Sequence, residues 1–250
     1  MESKKNNLKR YGLIGRNIEY SFSRGYFKNK FENENLPDCS YENFDLKNIG
    51  QLKAVLSEKN ICGLNVTTPY KREVIQFMNR LSPEAEKINA VNTIKFEKDG
   101  SFSGHNTDVY GFEKSLLEVL EKPPKKALII GTGGASSAIA FVLEKWNVDF
   151  SYISRSKKDN TIQYVDVDEK LLQQYPLIVN ASPVGTFPDI DKAPQLPYGG
   201  LNSNHLLYDL IYNPLETRFL KEGKTRGCQT INGLKMLEYQ AEKSWQIWRL

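Results

Sequence analysis

Residues 127–143 constrain the fold of this chain more than any other stretch. Ala127-Leu128-Ile129-Ile130 is a short apolar run, and Gly131-Thr132-Gly133-Gly134-Ala135-Ser136 is a glycine-rich turn. Ser137-Ala138-Ile139-Ala140-Phe141-Val142-Leu143 then reads as a helix. A strand that feeds a helix through such a turn leaves backbone amides at the helix start, where the positive end of the macrodipole meets an anion. Glycines let the backbone approach a pyrophosphate, and Ser136, in the third glycine's place, is small enough to keep the helix close to the sheet. The spacing alone says little; the strand before and the helix after are what point to a dinucleotide. The competing reading is an ordinary tight strand-to-helix turn.

A second clue bears on which dinucleotide. Proteins that bind NAD place Asp or Glu at the end of the next strand, about twenty residues past the glycines, to accept from the ribose 2′-hydroxyl. Here that place holds Ser154-Arg155-Ser156-Lys157-Lys158. A guanidinium in place of a carboxylate suits a 2′-phosphate, hence NADP. A solvated basic loop is the alternative. Between Arg155 and Tyr164 there is too little chain for a full crossover helix, so this unit is abbreviated.

The remaining pattern alternates strands and helices, which implies an α/β fold with a mostly parallel sheet. Strands are expected at Tyr11–Ile14, Tyr41–Phe44, Ile61–Val66, Val148–Ile153, Leu177–Asn180 and Leu206–Leu210. Helical spacing joins Tyr26, Phe27, Lys30 and Phe31, and again Ile49, Leu52, Val55 and Leu56. Thr68-Pro69 reads as an N-cap followed by proline at the first helical position, opening a helix that carries Val74, Ile75, Phe77, Met78 and Leu81. Asn92–Phe96 and Ser101–Ser103 form a hairpin turned at Lys98-Asp99-Gly100. A helix at about 110–120 precedes Pro123-Pro124, which marks the passage to the glycine-rich unit, and an amphipathic helix covers Gly233–Trp248.

Composition narrows the function. The 250 residues, 40% hydrophobic and 26% charged, suit one or two globular domains. Charge of +4 spread along the chain fits anionic small molecules rather than nucleic acid. No apolar run approaches a membrane span, and the polar start lacks a signal-peptide core. Cys39, Cys62 and Cys228 are isolated, which points to free thiols in a cytoplasm. With only His105 and His205, a zinc site or a Ser-His-Asp triad has little to draw on, and no metal is expected.

Three further places could carry chemistry. Lys71 lies in the first turn of the helix expected after Pro69, where a cation is disfavoured and proton exchange with a substrate oxygen is eased; an exposed lysine beside Arg72 is the plainer reading. Asp108 could pair with a lysine or accept from a hydroxyl, or simply cap the following helix. Ser21 and Ser23, ahead of a helix, could receive a carboxylate or serve as plain caps.

The ordered set of motifs resembles the shikimate dehydrogenase family. It runs through Tyr11-Gly12-Leu13-Ile14-Gly15, Ser21-Phe22-Ser23, Asn65-Val66-Thr67-Thr68-Pro69-Tyr70-Lys71, Ala90-Val91-Asn92-Thr93 and Asn106-Thr107-Asp108. It continues through residues 131–135, Asn180-Ala181-Ser182-Pro183-Val184-Gly185, Tyr208-Asp209-Leu210-Ile211-Tyr212 and Gly233-Leu234-Lys235-Met236-Leu237 with Gln240. The resemblance implies an N-terminal α/β substrate domain, 1–108 completed by 231–250, and a Rossmann-like NADP-binding domain, 109–230, with the C-terminal helix returning to the first. It implies Ser21 and Ser23 as carboxylate ligands, with Thr67, Asn92, Asp108, Tyr212 and Gln240 on the ring hydroxyls. Lys71 would be the acid/base group with Asp108 beside it. Gly131, Thr132, Gly133, Gly134 and Ala135 would hold the pyrophosphate, and Ser154, Arg155 and Ser156 the 2′-phosphate; Leu210 and Gly233 would flank the nicotinamide. The implied activity is NADPH-dependent reduction of 3-dehydroshikimate to shikimate, in the cytoplasm, by a monomer or homodimer. A quinate/shikimate dehydrogenase with mixed cofactor use and a non-catalytic nucleotide-binding regulator are the alternatives.

Overall fold

The computed structural model describes residues 8–19, 21–155 and 160–250. The chain folds as two compact units: Met1–Thr107 with Gln240–Leu250, and Asp108–Tyr239. Pro123 and Pro124 lie inside the second unit. Each unit is built on one six-stranded sheet.

In the first unit the strands are β1 (Lys9–Gly15), β2 (Cys39–Asp45), β3 (Ile61–Val66), β4 (Arg80–Leu81), β5 (Thr93–Phe96) and β6 (Phe102–His105), in the order β2-β1-β3-β5-β6-β4. β1 runs parallel to β2 and β3, and β4 parallel to β6; the β5–β6 hairpin is antiparallel. The hairpin turns as expected, with Gly100 at φ 82 where a side chain would be strained. Its helices are α1 (Phe22–Asn33), α2 (Leu52–Leu56) and α3 (Pro83–Ile88).

The last helix, α8 (Leu234–Arg249), belongs to this unit from Gln240 onward. Ala241, Trp245 and Trp248 are buried with Tyr11, Phe27, Phe31 and Tyr41 in one aromatic cluster. Burying a large apolar side chain contributes about 1.5–3 kcal/mol, so this cluster is a principal anchor of the helix. Trp248 stacks on Tyr11 at 5.1 Å, and its Nε1 donates to the Ile94 carbonyl at 3.0 Å. Gly63 makes the docking possible: a Cβ there would sit 2.3 Å from the Trp248 ring.

The helix expected from Thr68-Pro69 does not form. Residues 68–72 are a turn, and only a short 3-10 helix, Glu73–Phe77, follows. The Lys71 carbonyl, which an α-helix would offer to Ile75, instead accepts from Val91 N–H at 2.7 Å. Tyr70 is buried, with its hydroxyl donating to the Leu46 carbonyl at 2.6 Å. A tertiary partner thus takes a carbonyl that a helix would use, and the Tyr70 side chain pins the turn. The capping signature is realised at Ser82-Pro83 instead: Ser82 Oγ accepts from Ala85 N–H, Pro83 opens α3, and Glu84 and Glu86 occupy its first turn. Leu81, placed on the expected helix, lies in edge strand β4.

In the second unit, α4 (Asp108–Leu117) leads to β7 (Lys126–Ile130), α5 (Gly134–Lys145), β8 (Asp149–Ser154) and β9 (Thr161–Gln163). Then come α6 (Glu169–Leu172), β10 (Leu177–Asn180), β11 (Leu206–Asp209), α7 (Arg218–Lys224) and β12 (Gln229–Ile231). The sheet is parallel in every pairing among the described residues, in the order β12-β11-β10-β7-β8-β9. Its core strands, Ala127–Ile130 and Leu177–Val179, are all but fully buried, as a sheet covered on both faces requires. The abbreviated segment after β8 is accounted for by β9, which pairs alongside β8 with Ser154 opposite Gln163. The chain builds outward from β7 to β9 and returns to β10 on β7's other side. That reversal makes the carboxyl ends of β7 and β10 a topological switch point, the place where open α/β sheets bind ligands. Among the described residues, no helix is long and apolar enough to cross a membrane.

Candidate active site

The glycine-rich turn sits at this switch point. Gly131 adopts φ 99, a region favouring glycine, and a Cβ there would lie 3.3 Å from the Ala181 backbone at the end of β10. Gly133 is the N-cap of α5 and supplies no side-chain cap, so the helix start keeps its amides for another acceptor. A Cβ on Gly133 or Gly134 would meet no heavy atom within 4 Å; that space is open to a ligand. Ser136 is buried, its Oγ donating to the Gly133 carbonyl at 2.5 Å, which tightens the turn.

Gly131, Thr132, Gly133, Ser154 and Arg155 line one cavity of about 1240 Å³. Among the described residues no carboxylate stands at the end of β8; Ser154 is buried and Arg155 exposed there. A dinucleotide carrying a 2′-phosphate fits this arrangement: uncapped amides for the pyrophosphate, open space over two glycines, and a guanidinium at the ribose end. Gly134 and Ala135 form the first turn of α5. Position 156, the third residue expected at the phosphate, lies outside the described residues.

Leu210 and Gly233 are held against each other rather than on that cavity. Gly233 N–H donates to the Ile211 carbonyl at 3.0 Å, and a Cβ on Gly233 would fall 2.0 Å from the Leu210 carbonyl oxygen. Tyr212 follows on the same loop and is half-buried. Asp209, which the sequence reading left without a role of its own, anchors this loop from the end of β11. It is fully buried and accepts from Asn180 Nδ2 at 3.0 Å, Ile211 N–H at 3.1 Å and Thr217 Oγ1 at 2.6 Å. Burial pushes its carboxyl up to about 6, the three hydrogen bonds pulling the other way.

In the first unit, Ser21 caps α1, its Oγ accepting from Ser23 N–H at 3.2 Å. The two serines therefore share one helix start, with Ser21 half-buried and Ser23 buried. Thr67 follows β3 directly, its N–H donating to the Ile14 carbonyl at 2.8 Å. Lys71 is half-buried in the turn that follows; with no helix there, the argument from the helix macrodipole lapses. Asn92 is buried just before β5, and its Oδ1 accepts from Thr107 N–H at 2.7 Å, Thr93 Oγ1 at 3.0 Å and Thr107 Oγ1 at 3.1 Å. Thr107 Oγ1 also lies 3.5 Å from Gln240 Oε1, which joins α8 to the cluster. Asp108 is buried as the first residue of α4 and falls in the second unit, whereas Lys71 belongs to the first.

Asn65, Thr93, Thr107 and Ser244 are the polar members that sequence reasoning did not single out. Asn65, Thr93 and Thr107 lie within the motifs that carry the resemblance; Ser244 has only its place one turn beyond Gln240 on the same face of α8.

A parallel sheet with a glycine-opened switch point, joined in one chain to a second α/β unit bearing buried polar side chains, defines a dinucleotide-dependent oxidoreductase. Comparisons with known proteins identify which. Residues 13–94 match the family described as shikimate dehydrogenase substrate binding domain. The chain is 36% identical to the NADP(+) shikimate dehydrogenase of Methanococcus vannielii, over 95% of this chain and 90% of that protein. It is 37% identical to that of Clostridium botulinum (strain Hall), over 96% of each. The crystal structure of shikimate 5-dehydrogenase from Thermus thermophilus, in complex with NADP(H) and shikimate, superposes with a TM-score of 0.85 at 30% identity, covering 96% of this chain and 93% of that one. This chain belongs to the shikimate dehydrogenase family.

Proposed function

We propose that the chain catalyses the reversible, NADPH-dependent reduction of 3-dehydroshikimate to shikimate. The observation that carries this reading is the second unit's cavity: a glycine-opened, uncapped helix start with Arg155, not a carboxylate, at the end of β8. Kinship over 95–96% of the chain supports the substrate.

The first unit, with the end of α8, is the substrate domain in this reading, and the second is the NADP domain. Residues 131–135 hold the pyrophosphate; Ser154 and Arg155, with position 156, hold the 2′-phosphate; Leu210 and Gly233 flank the nicotinamide. Ser21 and Ser23 receive the substrate carboxylate at the positive end of α1. Thr67, Asn92, Asp108, Tyr212 and Gln240 take the ring hydroxyls. When bound, the cofactor supplies the hydride. Lys71 delivers a proton to the developing alkoxide oxygen, and Asp108 positions that ammonium and the neighbouring hydroxyl. The three separated, unpaired cysteines suit a reducing cytoplasm, where the protein acts as a monomer or homodimer.

The test is absorbance at 340 nm with purified protein, offering shikimate and quinate against NADP and NAD in all four pairings. Turnover with shikimate and NADP is expected to lead. Faster turnover with quinate would overturn the substrate assignment, and equal use of NAD would remove Arg155 from cofactor choice.

A further inference from the structure

We infer that Ser244 and Thr93 are positioning residues for substrate recognition: with Thr107 they form a buried triangle of hydroxyls that orients the Asn92 amide and ties it to α8. The inference rests on the function proposed above and deepens it.

The three hydroxyls come from three places in the first unit: the first residue of β5, the segment after β6, and α8. Thr93 and Ser244 are completely buried and Thr107 nearly so. Their oxygens lie 2.8 Å (Thr93–Ser244), 3.1 Å (Thr107–Ser244) and 3.3 Å (Thr93–Thr107) apart. Such a group has few ways to place its protons, because each hydroxyl owns one proton and two lone pairs.

The surroundings settle most of that placement. Asn65 Oδ1 accepts from the Tyr41 hydroxyl at 2.8 Å, so its nitrogen faces the triangle, donating to Ser244 Oγ at 2.9 Å and reaching Thr93 Oγ1 at 3.3 Å. Ser244 in turn donates to the Gln240 carbonyl at 2.9 Å, one turn back along α8. Thr93 and Thr107 both have Asn92 Oδ1 within reach, beside the Thr107 backbone N–H. With the Ser244 proton on Gln240, one threonine proton goes to Ser244 Oγ and the other to Asn92 Oδ1, which the Thr107 N–H also holds, and this turns the Asn92 NH2 corner the other way. Toward a substrate hydroxyl, Asn92 is a donor.

Ser244 is the hub. It is the side chain of α8 that touches both threonines and Asn65. Without its oxygen, the threonine proton directed at Ser244 loses its acceptor and must be placed again, and Asn65 loses its nearest acceptor. A buried donor left without an acceptor reorganises the network around it.

The experiment compares Ser244→Ala, Thr93→Val and Thr93→Ser with the unmodified protein. Thr93→Val keeps the shape and removes the hydroxyl; Thr93→Ser keeps the hydroxyl and removes the methyl. KM for shikimate should rise about tenfold in Ser244→Ala and Thr93→Val, the effect expected for unsettling one buried network. KM for NADP should be unchanged, and Thr93→Ser should restore the KM for shikimate. Independently of turnover, NMR should show faster hydrogen exchange of the Asn92 side-chain amide in Ser244→Ala and Thr93→Val, and not in Thr93→Ser. Unchanged exchange in both hydroxyl-free variants, or a Thr93→Ser that behaves like Thr93→Val, overturns the inference. If Ser244→Ala fails to fold, the Thr93 pair decides. An Asn92 amide that responds as expected in a protein that does not turn over shikimate counts against the proposed function and leaves the positioning role standing.

Discussion

The carbonyl of Lys71 accepts a hydrogen bond from the amide of Val91 at 2.7 Å. This bond holds the turn that bears Lys71 beside the segment that bears Asn92, without using the lysine side chain. A helix would have given the same carbonyl to Ile75.

Lys71→Ala therefore leaves the turn's backbone bond intact and removes only the ammonium. Steady-state kinetics should show kcat reduced by about 10²–10⁴-fold, with KM for shikimate little altered. A raised KM with intact kcat would make Lys71 a binding group only.

Arg155→Ala should erode discrimination between NADP and NAD. A charge-assisted hydrogen bond contributes about 1.5–3 kcal/mol, so kcat/KM for NADP should fall roughly 10- to 100-fold while that for NAD is unmoved. An unchanged cofactor ratio would assign Arg155 to the surface.

Gly133→Ala separates binding from stability. Gly133 has φ −79, and a Cβ there meets nothing within 4 Å, so the unfolding temperature should match that of the unmodified protein. Isothermal titration should nonetheless show NADPH bound about tenfold more weakly, because the methyl occupies space the cofactor needs, an overpacking cost of about 1–3 kcal/mol. Undiminished affinity would move the pyrophosphate elsewhere.

Asp209 makes stability depend on pH. Its folded carboxyl titrates at about 6 against 3.8 for the free side chain, so the folded state binds the proton more tightly than the unfolded one. Stability is full below about pH 4 and declines as pH rises to about 6, by roughly 3 kcal/mol for this group. In Asp209→Asn, which keeps an acceptor for Asn180 and Ile211 while the Thr217 hydroxyl must turn from donor to acceptor, that decline should vanish in urea titrations between pH 4 and 7. A persisting decline would trace it to another group.

Gly63→Ala should loosen the end of α8. The added methyl would lie 2.3 Å from the Trp248 ring, and overpacking a buried site costs about 1–3 kcal/mol. A lower urea midpoint with quenched or shifted tryptophan emission is expected; an unchanged midpoint would mean that the indole has room to withdraw.

Much of this protein is written locally. The passage from Ala127–Ile130 into Gly131 and then α5 is legible because strand, glycine and helix signals are adjacent in the chain. The β5–β6 hairpin is legible for the same reason, its turn residues lying between two short apolar runs. Arg155 could be read from the absence of a carboxylate at a countable distance from the glycines. β9, by contrast, has only three residues, and its pairing with β8 supplies what its own composition does not signal. Ser244 was invisible because one serine on an amphipathic helix carries no local mark; only its contacts with Thr93, Thr107 and Asn65 distinguish it.

The amino-acid sequence by itself determined the α/β class, the glycine turn and the positions of nearly every long strand, because periodicity, glycine and capping chemistry act over a few residues. Tertiary structure alone decided that Thr68-Pro69 opens a turn while Ser82-Pro83 opens a helix. Both sites carry the same local signature. They differ in whether a distant group, the Val91 N–H, competes for a carbonyl a helix needs. The same holds for Asn92, whose amide oxygen accepts from the Thr107 N–H and hydroxyl, distant in the chain and close in space.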